Sequence, residues 1–480
     1  MLERNTNKHL FYGQTTSLCE SCLQLVPAKI LIEDNAVYYQ KRCAEHGVQK
    51  TLISSDAAYY RHTHDYLKPG ERPQLRQTVT ERGCPWDCGL CPDHEQHSCV
   101  GIVEITEQCN LRCPVCFADS APAHGSHRSL AEVEFMLDAL VASEGEPDVV
   151  QISGGEPTIH PHILDILRLA RSKPIKHLML NTNGVRLARE PDFVAALAEF
   201  KPGFEVYLQF DALDDSALQD IRGADLARTR LQALEHLEAH GISTTLVVTV
   251  KGGVNDSGLW RIVEAGLNYQ CVRGVTFQPV QDAGRNPAFD KHRHRSLLSD
   301  IRRQLINDSQ VFGEDDLIPL PCNPEYIAIG YALRNERQLT PITRLIPKEQ
   351  FIGSAPATIA FERSPELKQR LFEVLSLSGG ALNTGERLQQ LLCCLPALPT
   401  PAELRYEHVF RITIVQFMDR YNFCVGGVKR SCIHIVHSDG RIIPFDTYNL
   451  FYRDLPAGAD PRTRVGAPRV ETKLRSERHG

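Results

Sequence analysis

Between residues 100 and about 285, short runs of apolar and β-branched residues alternate with longer amphipathic stretches. The runs cover 100–106, 148–153, 177–184, 204–211, 243–251 and 272–280, and each ends in polar or Gly-rich sequence. Continuous apolar runs of this length read as strands buried on both faces. The stretches between them carry the helical period. Ser129 precedes Leu130, Val133, Leu137 and Leu140, with Glu132 placed to complete a capping box. Ile163, Ile166, Leu167 and Ala170 share one face of the next helix, and Leu226, Leu231, Leu234 and Leu237 mark another. Repeated strand–helix units predict an α/β fold with a parallel sheet, its polar strand ends gathered on one side.

The flanks read differently. Lys29-Ile-Leu-Ile-Glu33 and Ala36-Val-Tyr-Tyr-Gln40 predict two strands meeting at Asp34-Asn35, a pair suited to a tight hairpin. Residues 61–82 are polar and Pro-rich and read as a linker. In the neighbouring patch the aromatics Tyr59 and Tyr60 are expected to pack, and His62 and His64 to be solvated. Amphipathic patterns around 290–310 and 363–393 predict a helical appendage that caps the mouth of the fold and keeps water out. Residues 406–453 return to strand-like sequence, and the tail from about 455 lacks apolar periodicity and reads as disordered. The predicted segments are therefore 10–60, 61–99, 100–285, 286–453 and 454–480.

Composition changes this picture in one respect. A chain of 480 residues with net charge −6 offers no electrostatic case for nucleic acid. No apolar run approaches the roughly 18–20 residues of a membrane span, and the first residues lack an apolar signal core, so the expected location is the cytoplasm. The cysteines stand out: ten of the sixteen fall before residue 117, in short-spaced groups. In the cytosol such clustering points to metal or redox work rather than disulfides.

Three groups carry chemistry. Cys109-Asn-Leu-Arg-Cys113-Pro-Val-Cys116-Phe117 places three thiols on a loop just past the first strand of the alternation. A closed zinc site wants four protein ligands, and an ordinary [4Fe–4S] cluster takes four thiolates. Three leave one iron open to a small molecule, or else form a zinc loop that borrows a fourth ligand. Just before them Cys84, Cys88, Cys91 and Cys99 make a complete set for an auxiliary cluster or a four-thiolate zinc knuckle. His94 and His97 are spare on that count, though either can replace a thiolate. Nearer the N-terminus, Cys19-Glu-Ser-Cys22 and Cys43-Ala-Glu-His46 flank the hairpin as a zinc-ribbon or rubredoxin-like site, with His46 where a second Cys is usual. Mixed Cys and His ligation suits Zn²⁺, while four thiolates also suit iron. Cys322 stands alone, and Cys393-Cys394 read as buried thiols. Gly154-Gly155-Glu156-Pro157 closes the second strand, where paired glycines allow a close backbone approach. Asn181, Asn183, Gln209, Asp211, Thr249 and Gln278 end strands on the same side, where they either satisfy local backbone or touch a ligand.

The triad with its following aromatic, and Gly-Gly-Glu-Pro one strand–helix unit later, resemble the radical S-adenosylmethionine (SAM) enzymes. The resemblance implies a partial (β/α)6 TIM-type barrel, preceded by the metal knuckle and Cys-rich segment and followed by a C-terminal α+β extension. It implies that Cys109, Cys113 and Cys116 hold a [4Fe–4S] cluster whose open iron binds SAM. One electron then cleaves SAM to methionine and a 5′-deoxyadenosyl radical, which abstracts hydrogen from substrate. Phe117, Gly154, Gly155 and Glu156 are carried over to SAM contacts, and the six strand-end residues join them as candidates. From Cys19 to Tyr452 the chain resembles the branch containing the tetraether lipid synthase and the dihydro-hydroxymethylpterin dimethyltransferase-like proteins. That branch implies an auxiliary [4Fe–4S] cluster at Cys84, Cys88, Cys91 and Cys99, and Zn or mononuclear Fe at Cys19, Cys22, Cys43 and His46. It also implies a reducing protein partner of the flavodoxin or ferredoxin type. The expected reaction is C–C bond formation or alkylation at an unactivated carbon. A lipid acyl chain reached from a bilayer surface is the first expected substrate, a pterin precursor the second. Archaeal members build a further C-terminal cluster from blocks matching Cys322 and Cys432; here Asp446 stands where a Cys is expected. The competing readings are a peptide-modifying maturase and a non-enzymatic metal-binding electron carrier. The first has its extra cysteines after the barrel, and the second leaves the strand–helix units without a purpose.

Overall fold

The structure, a computed structural model, describes residues 9–345 and 408–466 apart from 454 and 457. The predicted hairpin is the centre of a four-stranded antiparallel sheet: β1 (Leu10–Leu18), β2 (Leu25–Glu33), β3 (Ala36–Cys43) and β4 (Gly47–Ser54). Asp34 and Asn35 take φ values of 49° and 60°, the left-handed pair that a two-residue turn between twisted strands needs. Asp56 caps α1 (Ala57–Thr63), which buries Tyr59 and Tyr60.

The six predicted strands are β5 (Val100–Glu104), β6 (Val149–Ser153), β7 (His177–Thr182), β8 (Phe204–Gln209), β9 (Thr244–Val250) and β10 (Val272–Pro279). They are parallel and neighbour one another in chain order. β7 and β8 stop short of the predicted ends, which leaves Asn183 and Asp211 on the turns beyond the sheet. Outside lie α2 (Leu130–Glu144), α3 (Ile163–Ser172), α4 (Val185–Arg189), α5 (Pro191–Leu197), α6 (Asp215–Arg222), α7 (Ala227–Ala239) and α8 (Trp260–Gly266). The capping box at Ser129 and Glu132 is present, and α3 buries all four residues predicted for its inner face. On α7 the stripe is turned: Leu234 and Leu237 are buried, Leu231 is exposed and Arg230 is fully buried.

The sheet does not end at six strands. β14 (Val409–Val415) joins β10 in parallel and β15 (Ile433–Val436) joins β5 in parallel. Beyond β14 comes antiparallel β12 (Ile327–Asn335), flanked by β11 (Ile318–Pro319) and β13 (Gln338–Pro341). Beyond β15 comes antiparallel β16 (Ile442–Pro444). The expected helical appendage is described only in part. Only α9 (Leu298–Asp308) takes up the 290–310 pattern, residues 318–341 form strands, and the 363–393 pattern with Cys393 and Cys394 lies outside the described residues. The C-terminal strands enter the sheet because Val409–Val415 and Ile433–Val436 are apolar enough to be covered on both faces. Of the tail, Pro461–Arg464 forms a turn and the Gly466 amide donates to Cys22 O at 2.8 Å, while residues 467–480 lie outside the described residues. Among the described residues no helix is long and apolar enough to cross a membrane.

Candidate active site and metal centres

The strand ends form one hydrogen-bonded network. Asn181 Nδ2 donates to Ser153 Oγ at 3.0 Å, and Asn181 Oδ1 accepts from Gln209 Nε2 at 2.9 Å. Gln209 Oε1 accepts from Arg222 Nη2 at 2.9 Å, and the same nitrogen donates to Thr249 Oγ1 at 3.1 Å. Asp211 is fully buried in a left-handed conformation, with φ 57°. It accepts from Arg222 at 2.7 Å, from Arg230 at 2.9 Å and from the Thr249 amide at 3.0 Å. Burial alone would push its carboxyl up, but Arg222 and Arg230 outweigh it and hold the group at about 2. Gln278 Nε2 donates to Tyr207 OH at 3.1 Å. Sequence reasoning missed Arg222 and Arg230; the one signal was Arg230 standing among the leucines of α7.

The cysteine loop crosses these ends. Gly155 and Glu156 amides donate to Thr106 O at 2.8 Å and Gln108 O at 2.9 Å. A Cβ on Gly154 would lie 2.3 Å from Thr106 O, and one on Gly155 2.1 Å from Gln108 O. The close approach expected of the glycine pair is therefore made to the cysteine loop itself. Glu156 is buried and accepts from the amides of Asn183 (2.7 Å) and Thr158 (3.1 Å) and the hydroxyls of Thr158 (2.6 Å) and Thr182 (2.7 Å). It ties the turn after β6 to the turn after β7. Asn183 Nδ2 then donates to Asn110 Oδ1 of the loop at 2.7 Å.

Cys109 and Cys113 are buried and Cys116 is half-buried. Burial, with the nearby Glu156 charge adding to it, pushes the Cys109 thiol up to about 12. Burial also raises Cys113, against the pull of Arg222. The Leu111 amide donates to Cys109 Sγ at 3.4 Å, and the Arg222 guanidinium donates to Cys113. Donors and positive charge aimed at sulfur favour thiolate over thiol. Burial outweighs them here and holds both groups as thiols, so these sulfurs give up their protons only when a cation joins them.

Beneath the loop the curved sheet encloses a cavity of about 120 Å³. Phe117, Ser153, Asn181, Gln209 and Gln278 line its upper part, Phe417 and Phe445 one side, and His177, Thr245 and Arg411 its base. Phe417 and Phe445 lie 4.1 Å apart at 34°, and Phe117 meets Phe445 edge-on at 5.1 Å. At the base Glu205 accepts from Arg411 at 3.0 Å and faces His177 Nε2 at 3.0 Å. Burial would raise that carboxyl, but Arg411 and His177 keep it well below the usual range. Asn181, Gln209 and Gln278 reach the cavity; Asn183, Asp211 and Thr249 are engaged behind it.

Two groups of metal-ligating atoms lie within 4.8 Å of one another among the described residues. The first is Cys19, Cys22, Cys43 and His46. Cys22 and Cys43 sulfurs are 3.9 Å apart, and His46 Nδ1 stands 3.6 Å from Cys19 and 3.5 Å from Cys43. A Zn–S bond of about 2.3 Å places tetrahedral sulfurs about 3.8 Å apart, so the four residues fit one ion. His46 lowers the Cys43 thiol from its ordinary value. The second group is Cys99, Cys322 and Cys432. Cys84, Cys88 and Cys91 interact with one another, and Cys88 Sγ lies 3.3 Å from Thr447 Oγ1. Cys99 instead faces Cys322 and Cys432. Of the four cysteines read as one set, Cys99 thus stands beside Cys322 and Cys432. The cause is the pairing of β5 with β15: the Val100 amide donates to Cys432 O at 3.0 Å, so the residues preceding both strands meet.

Residues 103–265 match the Radical SAM superfamily, and residues 11–55 match the HMPTM N-terminal zinc ribbon domain. The 7,8-dihydro-6-hydroxymethylpterin dimethyltransferase of Methanocaldococcus jannaschii is 31% identical, across 92% of this chain and 94% of that one. The chain belongs to that family, within the radical SAM superfamily. A GTP 3′,8-cyclase of Chlorobaculum tepidum is 30% identical over 57% of this chain and 86% of its own. Among solved structures, Streptococcus suis SuiB bound to S-adenosylmethionine aligns with TM-score 0.36 and 16% identity, over 43% of this chain and 46% of that one. As a member of the superfamily the protein is a radical SAM enzyme, and a [4Fe–4S] cluster and SAM are its cofactors.

Proposed function

We propose that the enzyme alkylates a small, flat heteroaromatic of the reduced pterin type. The cavity beneath the cysteine loop carries this reading: the stacked pair Phe417 and Phe445 lines one side with aromatic surface, while Asn181, Gln209 and Gln278 offer donors and acceptors at its rim. Stacking plus a few placed amides is how a site recognises a planar ring with a polar edge. The relative that matches along the whole chain is named for a pterin, which favours the second expected substrate over the first. A saturated acyl chain offers nothing to the rim amides.

In this reading Cys109, Cys113 and Cys116 hold the cluster that binds SAM. When bound, cluster and SAM supply the electron and the 5′-deoxyadenosyl radical. The chain positions them: Gly154 and Gly155 dock the loop, Glu156 locks the neighbouring turns, and Arg222 brings positive charge to Cys113. Phe117 stands in the cavity wall between loop and substrate space. Cys84, Cys88 and Cys91 are assigned to an auxiliary cluster and the N-terminal group to Zn or a single Fe. A protein of the flavodoxin or ferredoxin type supplies reducing equivalents. The test is anaerobic turnover with SAM and a strong reductant, offering either 7,8-dihydro-6-hydroxymethylpterin or a membrane-lipid extract. The pterin should be consumed with formation of 5′-deoxyadenosine, and a heavier pterin product should appear together with S-adenosylhomocysteine from a second SAM that serves as the methyl donor. Stimulation by the lipid extract alone would overturn the pterin reading.

A further inference from the structure

We propose that the N-terminal ribbon clamps the substrate cavity: Glu20 and Lys41 hold the segment that carries Phe417, so that an ion bound by Cys19, Cys22, Cys43 and His46 governs how tightly substrate binds. This role rests on the cavity beneath the cysteine loop being the substrate's site. Between β14 and the short helix Val425–Lys429 the chain forms neither strand nor helix. Phe417 stands near the start of this segment, where it lines the cavity and stacks on Phe445 at 4.1 Å. Such a segment has no ladder to satisfy its backbone, so groups from elsewhere must fix its path. Two sides are held by the barrel and the extension. The Met418 amide donates to Asp446 Oδ1 at 2.6 Å. Gln281 donates to Met418 O, and the Asp282 amide donates to Asp419 Oδ2 at 3.1 Å. The third side is held by the ribbon.

Lys41 is fully buried, and its Nζ donates to Arg420 O at 2.9 Å and Tyr421 O at 2.7 Å. Arg420 Nη1 answers by donating to Glu20 O at 3.2 Å. The Glu20 carboxylate stands 3.8 Å from Lys41 Nζ and 2.7 Å from Lys291 Nζ, so the buried ammonium has a countercharge. Both arms of this clamp spring from the metal-ligating knuckles. Glu20 follows Cys19 and precedes Cys22 by two residues. Lys41 and Cys43 share the buried face of β3 with Val37 and Tyr39, as the alternation of a strand requires. An ion that joins Cys19 and Cys22 to Cys43 and His46 fixes the two knuckles relative to each other, and Glu20 and Lys41 with them. Lys41 is thus a positioning residue: it acts on the cavity through the backbone beyond Phe417. The role needs no redox change at the ion, so Zn²⁺ serves it.

Full-length, zinc-loaded and iron-reconstituted enzyme provides the test, with Lys41→Met as the first variant. Triad iron should be retained, and backbone amides of 418–423 should exchange faster with deuterated solvent. The Kd for 7,8-dihydro-6-hydroxymethylpterin, read by equilibrium dialysis, should rise about tenfold, the fold-change that loss of hydrogen bonds from a charged group produces. In turnover the loss should fall in KM rather than kcat. Because Lys41→Met could loosen the ribbon itself, Arg420→Gln acts from the segment's own side and should give the same changes with ribbon zinc retained. His46→Gln should lower ribbon zinc and raise Kd in the same way, yet add little when combined with Lys41→Met, since both act through one path. Unchanged exchange and Kd in Lys41→Met and Arg420→Gln would overturn the clamp, and so would full additivity of His46→Gln with Lys41→Met. Phe417→Ala separates the two readings. If it weakens pterin binding while Lys41→Met does not, the clamp alone falls. If it leaves Kd unchanged, the cavity is not the pterin's site and both fall.

Discussion

Asp211 is a fully buried carboxylate held between two arginines. Replacing it by Asn removes the carboxylate that both Arg222 and Arg230 pair with. Breaking a buried pair in this way costs about 3–5 kcal/mol, so Asp211→Asn should lower the unfolding free energy by that amount, read by urea denaturation. Because Arg222 also reaches Cys113, the same variant should bind less iron after reconstitution; unaltered stability and iron would contradict the arrangement described. Asp446 behaves in the opposite sense. It accepts from the Met418 amide at 2.6 Å and from the Ser431 hydroxyl at 3.4 Å, and Asp419 adds a like charge nearby. Burial pushes its carboxyl up to about 7. Between about pH 4 and 7 the folded state therefore keeps a proton that the unfolded chain has released, and stability falls as pH rises through that window. Asp446→Asn should match the wild type near pH 4 and exceed it by about 3–4 kcal/mol at pH 8, read by denaturant unfolding at the two pH values. None of this was visible in the sequence, where Asp446 registered only as a missing cysteine.

At the scale of elements, the glycine pair shows how sequence and structure agree for different reasons. Gly-Gly-Glu-Pro pointed to the site, and the site is there, but the glycines are needed because the backbone of Thr106 to Gln108 lies against them. Gly155→Ala should displace the loop. The expected result is a folded protein with native far-UV circular dichroism that has lost most of its triad iron and SAM cleavage; full iron loading would contradict it. The strand–helix alternation of residues 100–285 was legible because each element advertises its burial locally, through continuous apolar runs or a helical stripe. Ser129, Glu132 and the inner face of α3 follow that reading closely. What failed was non-local. Nothing in Val409–Val415 or Ile433–Val436 says which sheet they will enter, and nothing near Cys99 says that it will meet Cys432, 333 positions later by subtraction of the residue numbers. Spacing along the chain grouped Cys99 with Cys84, Cys88 and Cys91; the register of β15 against β5 regrouped it.

For the whole molecule, the C-terminal strands turn six parallel strands into eight and wrap them around one cavity, with the cysteine loop above it and the Glu205 ion pairs below. The cavity is thus shared between the superfamily core and the C-terminal extension. Phe117 comes from the cysteine loop, the rim amides from the core strands, and Phe417 and Phe445 from the extension. The central claim is that a radical formed at the cysteine loop takes hydrogen from a pterin-type molecule held in this cavity. Label transfer tests it most directly. Anaerobically reconstituted enzyme, SAM and reductant would be given ring- and side-chain-deuterated 7,8-dihydro-6-hydroxymethylpterin, and the 5′-deoxyadenosine analysed by mass spectrometry. The account predicts deuterium in 5′-deoxyadenosine from the wild type and no 5′-deoxyadenosine from Cys113→Ala. Abundant but unlabelled 5′-deoxyadenosine, with the pterin recovered unchanged, would contradict it.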